Sequence, residues 1–134
     1  MSRIVLDTSA YVQFAAGHPE AVSAVMSATW VGVPTVLLGE LHLGFALGTK
    51  RSANESFLQN FLGNPAVEVL PVTDDSARVY GEIVADLRRS GRPIPVNDAW
   101  IAAVAVQHGA TLLTFDRHFL SVETLRTLWV PLGT

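Results

Sequence analysis

Residues 97–116 read Asn97-Asp98-Ala99-Trp100-Ile101-Ala102-Ala103-Val104-Ala105-Val106-Gln107-His108-Gly109-Ala110-Thr111-Leu112-Leu113-Thr114-Phe115-Asp116. Trp100, Ile101, Val104 and Ala105 recur at helical spacing, and Asn97 has the chemistry of the cap that would start that helix. Gly109 would close it. Thr111 to Thr114 is then a short apolar, β-branched run, a strand that leads to Asp116 two residues further on. The Gly109-Ala110 link is tight, so the helix must run antiparallel to the strand it feeds. At about 1.5 Å per residue the helix is roughly 16 Å long, close to a four- or five-residue strand at about 3.3 Å each. Asp98 at the start of the helix is therefore level with Asp116 beyond the end of the strand.

The rest of the chain repeats this alternation. Ile4-Val5-Leu6 predicts a buried strand entering Asp7, and Thr8 and Ser9 are expected to cap a helix through Tyr11, Val12 and Phe14 to Gly17. A second helix is expected over Ala21 to Ala28. A third has Pro34 in its first turn and runs through Leu37, Leu38, Leu41 and Phe45 toward Gly48, and a fourth covers Lys50 to Leu62. Val67 to Val72 reads as a strand. Thr73 caps the next helix, with Asp74 and Asp75 in its first turn and Arg88 and Arg89 in its last, an order that complements the helix dipole. Leu128-Trp129-Val130 is a further candidate strand. Strands separated by helices imply right-handed crossovers and a parallel sheet with helices on both faces, an α/β architecture.

Composition narrows the possibilities. With 134 residues, 49% hydrophobic and 16% charged, the chain suits one domain over 1–134 with a sizeable core, and it is too apolar for disorder. Absence of cysteine removes disulfides, thiol nucleophiles and cysteine-type zinc sites, and it fits a reducing, cytoplasmic setting. An acid as early as Asp7 predicts no signal peptide. The net charge of −3 argues against a strongly basic protein that coats nucleic acid, but not against local contact with a phosphate backbone.

In an open parallel sheet, ligands bind outside the carboxyl ends of the strands. Asp7, Asp98 and Asp116 all converge there from topology alone. Each has an ordinary alternative: Asp7 as a helix cap or solvated turn residue, Asp98 as a partner of the helix dipole, Asp116 as a turn acid before Arg117. Glu40 is a lone carboxylate in the apolar stretch Val36 to Phe45, expensive to bury unless paired or metal-bound. Gly39 and Gly44 beside it suggest close packing or open space. Glu40 could instead pair with Lys50, Arg51 or a distant arginine, and nothing in the sequence alone turns it toward the other three acids.

Four carboxylates a few ångströms apart need compensating charge, which hard, oxygen-seeking Mg²⁺ or Mn²⁺ would provide. Two such ions can activate water and stabilise the departing oxygen in phosphodiester hydrolysis. Zinc fits less well. His18, His42, His108 and His118 are scattered and read as structural or surface residues. Other chemistries lack their parts: there is no Walker loop, no Gly-x-Ser-x-Gly elbow, no dinucleotide glycine fingerprint and no acidic pair after the first strand.

Four blocks resemble those of PIN-domain nucleases, in the same order. They are Ile4 to Ser9, Leu38 to Gly44, Gly91 to Ala103 and Leu113 to Phe119. The combination is most similar to VapC-type toxins of toxin–antitoxin pairs. The resemblance implies a three-layer α/β/α sandwich with a central, mostly parallel sheet. It also implies an endoribonuclease whose one or two Mg²⁺ or Mn²⁺ ions are held by Asp7, Glu40, Asp98 and Asp116, with Thr8, Ser9 and Thr114 orienting carboxylates or water. Homodimers and inhibition by a cognate antitoxin are common in the family. The chain departs from the family pattern at Leu120 to Leu125, which lacks the glycine turn that often precedes the last strand. Lys50, Arg51, Arg88, Arg89, Arg92 and Arg117 are candidates for RNA phosphate contacts, although Arg88 and Arg89 are expected at a helix end in any case. Trp30, Trp100 and Trp129 read as core or dimer contacts rather than base-stacking platforms. A PIN-like RNA-processing nuclease without an antitoxin and a catalytically silent RNA- or protein-binding module are the alternative functions.

Overall fold

The computed structural model describes residues 2–132. Its elements run β1 (Arg3–Leu6), α1 (Thr8–Ala15), α2 (Pro19–Ser27), β2 (Trp30–Pro34), α3 (Thr35–Leu47), α4 (Arg51–Leu62), β3 (Val67–Leu70), α5 (Asp74–Arg89), α6 (Val96–Gln107), β4 (Thr111–Thr114), a 3-10 turn (Arg117–Ser121) and β5 (Thr127–Trp129). The five strands form one sheet in the order β3-β2-β1-β4-β5, and every neighbouring pair is parallel.

Strand β1 sits at the centre because both of its faces can be buried: Ile4, Val5 and Leu6 are all shielded from solvent. Its ladder partner β4 pairs Leu6 with Leu113, which brings the residues after both strands to the same edge. Helix α6 reaches that edge as its length predicts. Gly109 has a φ of 60°, the left-handed conformation that the tight turn into β4 requires. Ile101 to Ala105 is an unbroken apolar run with no exposed side chain, so this stretch of α6 is buried on every side.

Four local expectations are corrected. Trp30–Pro34 is a strand that the sequence pattern did not announce. Asp7, rather than Thr8 or Ser9, caps α1 by accepting the Ala10 N–H. Asn97 lies inside α6, which starts at Val96 behind Pro95. Finally, the last strand begins one residue earlier than expected, and it pairs with β4 as Leu112 with Thr127 and Thr114 with Trp129 without the family's glycine turn. None of the helices over the described residues is long and apolar enough to cross a membrane.

Candidate active site

The carboxyl edge of the sheet gathers all four acids. Asp7 is only 3% exposed, and its carboxylate is surrounded by donors. Oδ1 accepts the Ala10 N–H and the Ser9 hydroxyl, both at 2.8 Å, and Oδ2 accepts the Thr114 hydroxyl at 2.7 Å. Thr114 and Ser9 each have a second role. The Thr114 oxygen accepts the Asp116 N–H at 2.9 Å, and the Ser9 oxygen accepts the Phe115 N–H at 3.0 Å. Two hydroxyls thus tie the end of β1 to the turn after β4. Burial pushes the Asp7 pKa up; the N–H and hydroxyl donors oppose it, and the charge on Asp116 adds to it.

Glu40 enters from α3, where its Oε1 accepts the Thr8 hydroxyl at 2.5 Å. This bond supplies the orientation that the sequence alone left open. Gly39 and Gly44 border open space, with nothing within 4 Å of where a Cβ would stand. Asp98, on the first turn of α6, has its pKa pushed up to about 6. Burial is the main cause, His118 opposes it, and the charges of Asp116, Asp7 and Glu40 raise it further, so all four carboxylates share one electrostatic neighbourhood.

His118 is the site residue that sequence reasoning missed. Its Nε2 stands 2.5 Å from Asp116 Oδ2 and 3.0 Å from Asp98 Oδ2, yet it is shielded from solvent and neither contact has hydrogen-bond geometry. One ligand atom from each of Asp98, Asp116 and His118 lies within 4.8 Å of the others. Two carboxylate oxygens and an imidazole nitrogen gathered this closely form a mixed O/N donor set that a divalent cation could share. The signal was the Asp116-x-His118 spacing in the turn after β4, which also lets the Asp116 carboxylate accept the His118 N–H.

The six expected phosphate-binding cations separate into two groups. Arg51 is ion-paired with Glu55 at 2.7 Å and Arg89 with Asp86 at 3.0 Å, both on exposed helix faces. The side chains of Lys50, Arg88, Arg92 and Arg117 make no hydrogen bond or ion pair to a described residue. Gln107 bonds both Thr73 and Ser76, so the start of α5 packs on the end of α6. Arg88 and Arg92, at the other end of α5 and in the loop to α6, therefore belong to the Asp98 end. Arg117 directly follows Asp116 and lies over Trp129, 5.6 Å from the ring centroid. Trp30 and Trp100 have other companions: Trp30 lies under Arg3, and Trp100 stacks on Tyr80 at 3.9 Å.

The PIN domain family model matches residues 4–125, a span that contains all four acids and His118. The chain belongs to the PIN-domain family. Ribonuclease VapC5 of Mycobacterium tuberculosis is 30% identical over 119 residues, covering 89% of this chain and 87% of that protein. The VapC ribonuclease Y4jK of Sinorhizobium fredii is 32% identical over 121 residues, covering 84% and 86%. Among solved structures, VapBC-5 of M. tuberculosis, a member of the VapBC family of toxin–antitoxin systems, superposes with a TM-score of 0.77 at 30% identity, covering 97% of this PIN domain and 100% of that chain. VapBC2 of Rickettsia felis, solved bound to a DNA fragment from its promoter, gives a TM-score of 0.82 at 25% identity over 93% and 96% of the two chains.

Proposed function

We propose that this PIN domain is an endoribonuclease that hydrolyses RNA phosphodiester bonds with Mg²⁺ or Mn²⁺, and that it is the toxin of a toxin–antitoxin pair. The observation that carries the reading is the gathering of Asp7, Glu40, Asp98 and Asp116 on one sheet edge of a chain whose relatives are named VapC ribonucleases. These four acids would hold the cation, with His118 beside Asp98 and Asp116. A divalent ion bound there polarises water and phosphoryl oxygen and offsets the charge that builds up as the bond breaks.

The chain's own residues do the positioning. Asp7 is held by three donors and cannot swing, so its carboxylate presents a fixed direction to the cation. Thr8 does the same for Glu40 and Thr114 for the backbone that carries Asp116. Lys50, Arg88, Arg92 and Arg117 guide the polyanion toward a centre that would repel it without bound cations. Structures of relatives in VapBC complexes support a cognate antitoxin as the protein partner. Exposed Leu43 and Leu47 on α3 and Phe57 on α4 offer apolar surface for it. A homodimer in the cytoplasm is the expected resting form.

The test is cleavage of candidate structured RNAs with Mg²⁺ or Mn²⁺. Loss of groups that merely orient a metal ligand typically costs 10–100-fold, so Asp7→Asn and Asp98→Asn should each lower cleavage by more than about a hundredfold. Full cleavage by both variants would overturn the four-acid site.

A further inference from the structure

We infer that Arg117 and Trp129 form a phosphate-binding shelf on the β5 side of the acids, which seats the RNA backbone next to the scissile bond. The inference rests on the ribonuclease reading and assigns a role to two residues of that site.

Position is the first argument. Trp129 lies directly across the β4–β5 ladder from Thr114, the residue whose hydroxyl links Asp7 and Asp116, and the Val130 N–H bonds the Thr114 carbonyl at 2.9 Å. Arg117 is the next residue after Asp116. An arginine so close to four carboxylates would be expected to pair with one of them, yet its guanidinium makes no ion pair or hydrogen bond to a described residue. It lies on the indole instead. Stacking on an aromatic face fixes a guanidinium without using its N–H donors, so the whole fork remains available to an anion.

The second argument is an unsatisfied donor. The Trp129 indole N–H is shielded from solvent and has no acceptor among the described residues, an arrangement that folding alone disfavours. Arg117 is exposed and its side chain makes no hydrogen bond to a described residue, so the two neighbours together hold unused N–H donors for an anion. The molecule contains an internal control. Arg3 lies over Trp30 at 4.3 Å in the same way, but there the donors are used: Arg3 Nη1 bonds the His108 carbonyl at 3.0 Å and the Trp30 N–H bonds Glu68 at 3.0 Å. The pair far from the acids is satisfied, and the pair beside them is open.

The experiment measures binding of a short fluorescein-labelled oligouridine by anisotropy with Mg²⁺ present, over NaCl from about 50 to 200 mM, alongside RNA cleavage. For single strands the slope of log affinity against log salt changes by about 0.7 for each phosphate contact. Arg117→Ala should weaken binding about tenfold and flatten that slope by about 0.7, raising KM while leaving kcat within about threefold. Trp129→Leu should fall toward Arg117→Ala, and the double variant should lose less than the product of the two single losses. Trp129→Phe keeps an aromatic surface under the guanidinium but not the N–H and should bind between the parent and Trp129→Leu, which covers the case where Trp129→Leu fails to fold. The shelf is overturned if Arg117→Ala keeps the parent slope, or if removing the ring costs the same with alanine at 117 as with arginine. A parent protein that neither binds nor cleaves RNA overturns the ribonuclease reading and the shelf with it. A parent that cleaves, with an Arg117→Ala variant of unchanged slope, overturns the shelf alone.

Discussion

At the amino edge of the sheet, Arg3 bonds the His108 carbonyl, the Trp30 indole bonds Glu68 and Arg126 bonds the Gly109 carbonyl, so the arginines and the indole there find partners. At the carboxyl edge, four carboxylates crowd together, His118 Nε2 is pressed against two of them without hydrogen-bond geometry, and among the described residues the Trp129 indole N–H has no acceptor and the Arg117 guanidinium no ion-pair partner. Both edges belong to the same five strands and share the same core, so the difference does not arise from packing. Polar groups in a fold settled only by its own stability find partners; those kept for a ligand are left short of them. The contrast between the edges is a physical criterion for where this protein acts, independent of family.

Substitutions at either edge should separate the two behaviours. The largest effect after loss of an acid is expected at Thr114→Val, which keeps the shape of a fully buried side chain but removes the hydroxyl between Asp7 and Asp116. Cleavage should fall about 10–100-fold, with a stability loss of about 1–3 kcal/mol from the stranded Asp116 N–H, read by single-turnover kinetics and urea unfolding. A valine variant with parent activity would mean that the hydroxyl only fills space.

Next in size is the response of the metal-free protein to pH. Asp98 has a folded pKa of about 6 against an ordinary value of 3.8, and that of Asp7 is raised as well. Between those values the folded form holds protons that the unfolded form has released, so stability falls as pH rises from about 4 through about 6. Saturating Mg²⁺ or Mn²⁺ should offset the loss and raise Tm, and Asp98→Asn should flatten the pH dependence in the metal-free protein. A Tm that is insensitive to both metal and pH would contradict the charge crowding. The smallest effect is at the opposite edge: Arg3→Ala should cost about 1 kcal/mol through its stacking and one hydrogen bond, with RNA binding and its salt slope unchanged. Altered RNA binding in that variant would erase the distinction between the edges.

Much of this was legible in the order of residues, for reasons that differ from place to place. Asp7, Asp98 and Asp116 could be located because short turns leave the chain few ways to connect a helix to a strand. Asp7 and Asp116 also turned out to be caps, of α1 and of the 3-10 turn, so for both residues the ordinary structural reading is met, and it leaves room for the proposed metal-binding role. Glu40 could not be oriented because the bond that aims it comes from Thr8, which is 32 residues away. Strand β2 was hidden by Gly32 and Pro34, residues that weaken any strand pattern. Its glycine answers a tertiary demand: a Cβ at position 32 would meet Leu70 at 2.6 Å and Trp30 at 2.7 Å. His118 escaped because a lone histidine carries no pattern until the turn folds it against Asp98.

The hydroxyl bridge from Thr114 to Asp7 joins residues 107 positions apart, and the strand that carries it fills the place beside β1. During synthesis Asp7 leaves the ribosome 107 residues before Thr114. Until Thr114 and Asp116 have emerged, a nascent chain cannot gather the four acids, since contacts this distant in sequence form only after both segments exist. On the proposed ribonuclease reading, the translating ribosome meets no assembled centre before Asp116 emerges, and a restraining partner has nothing to restrain until then.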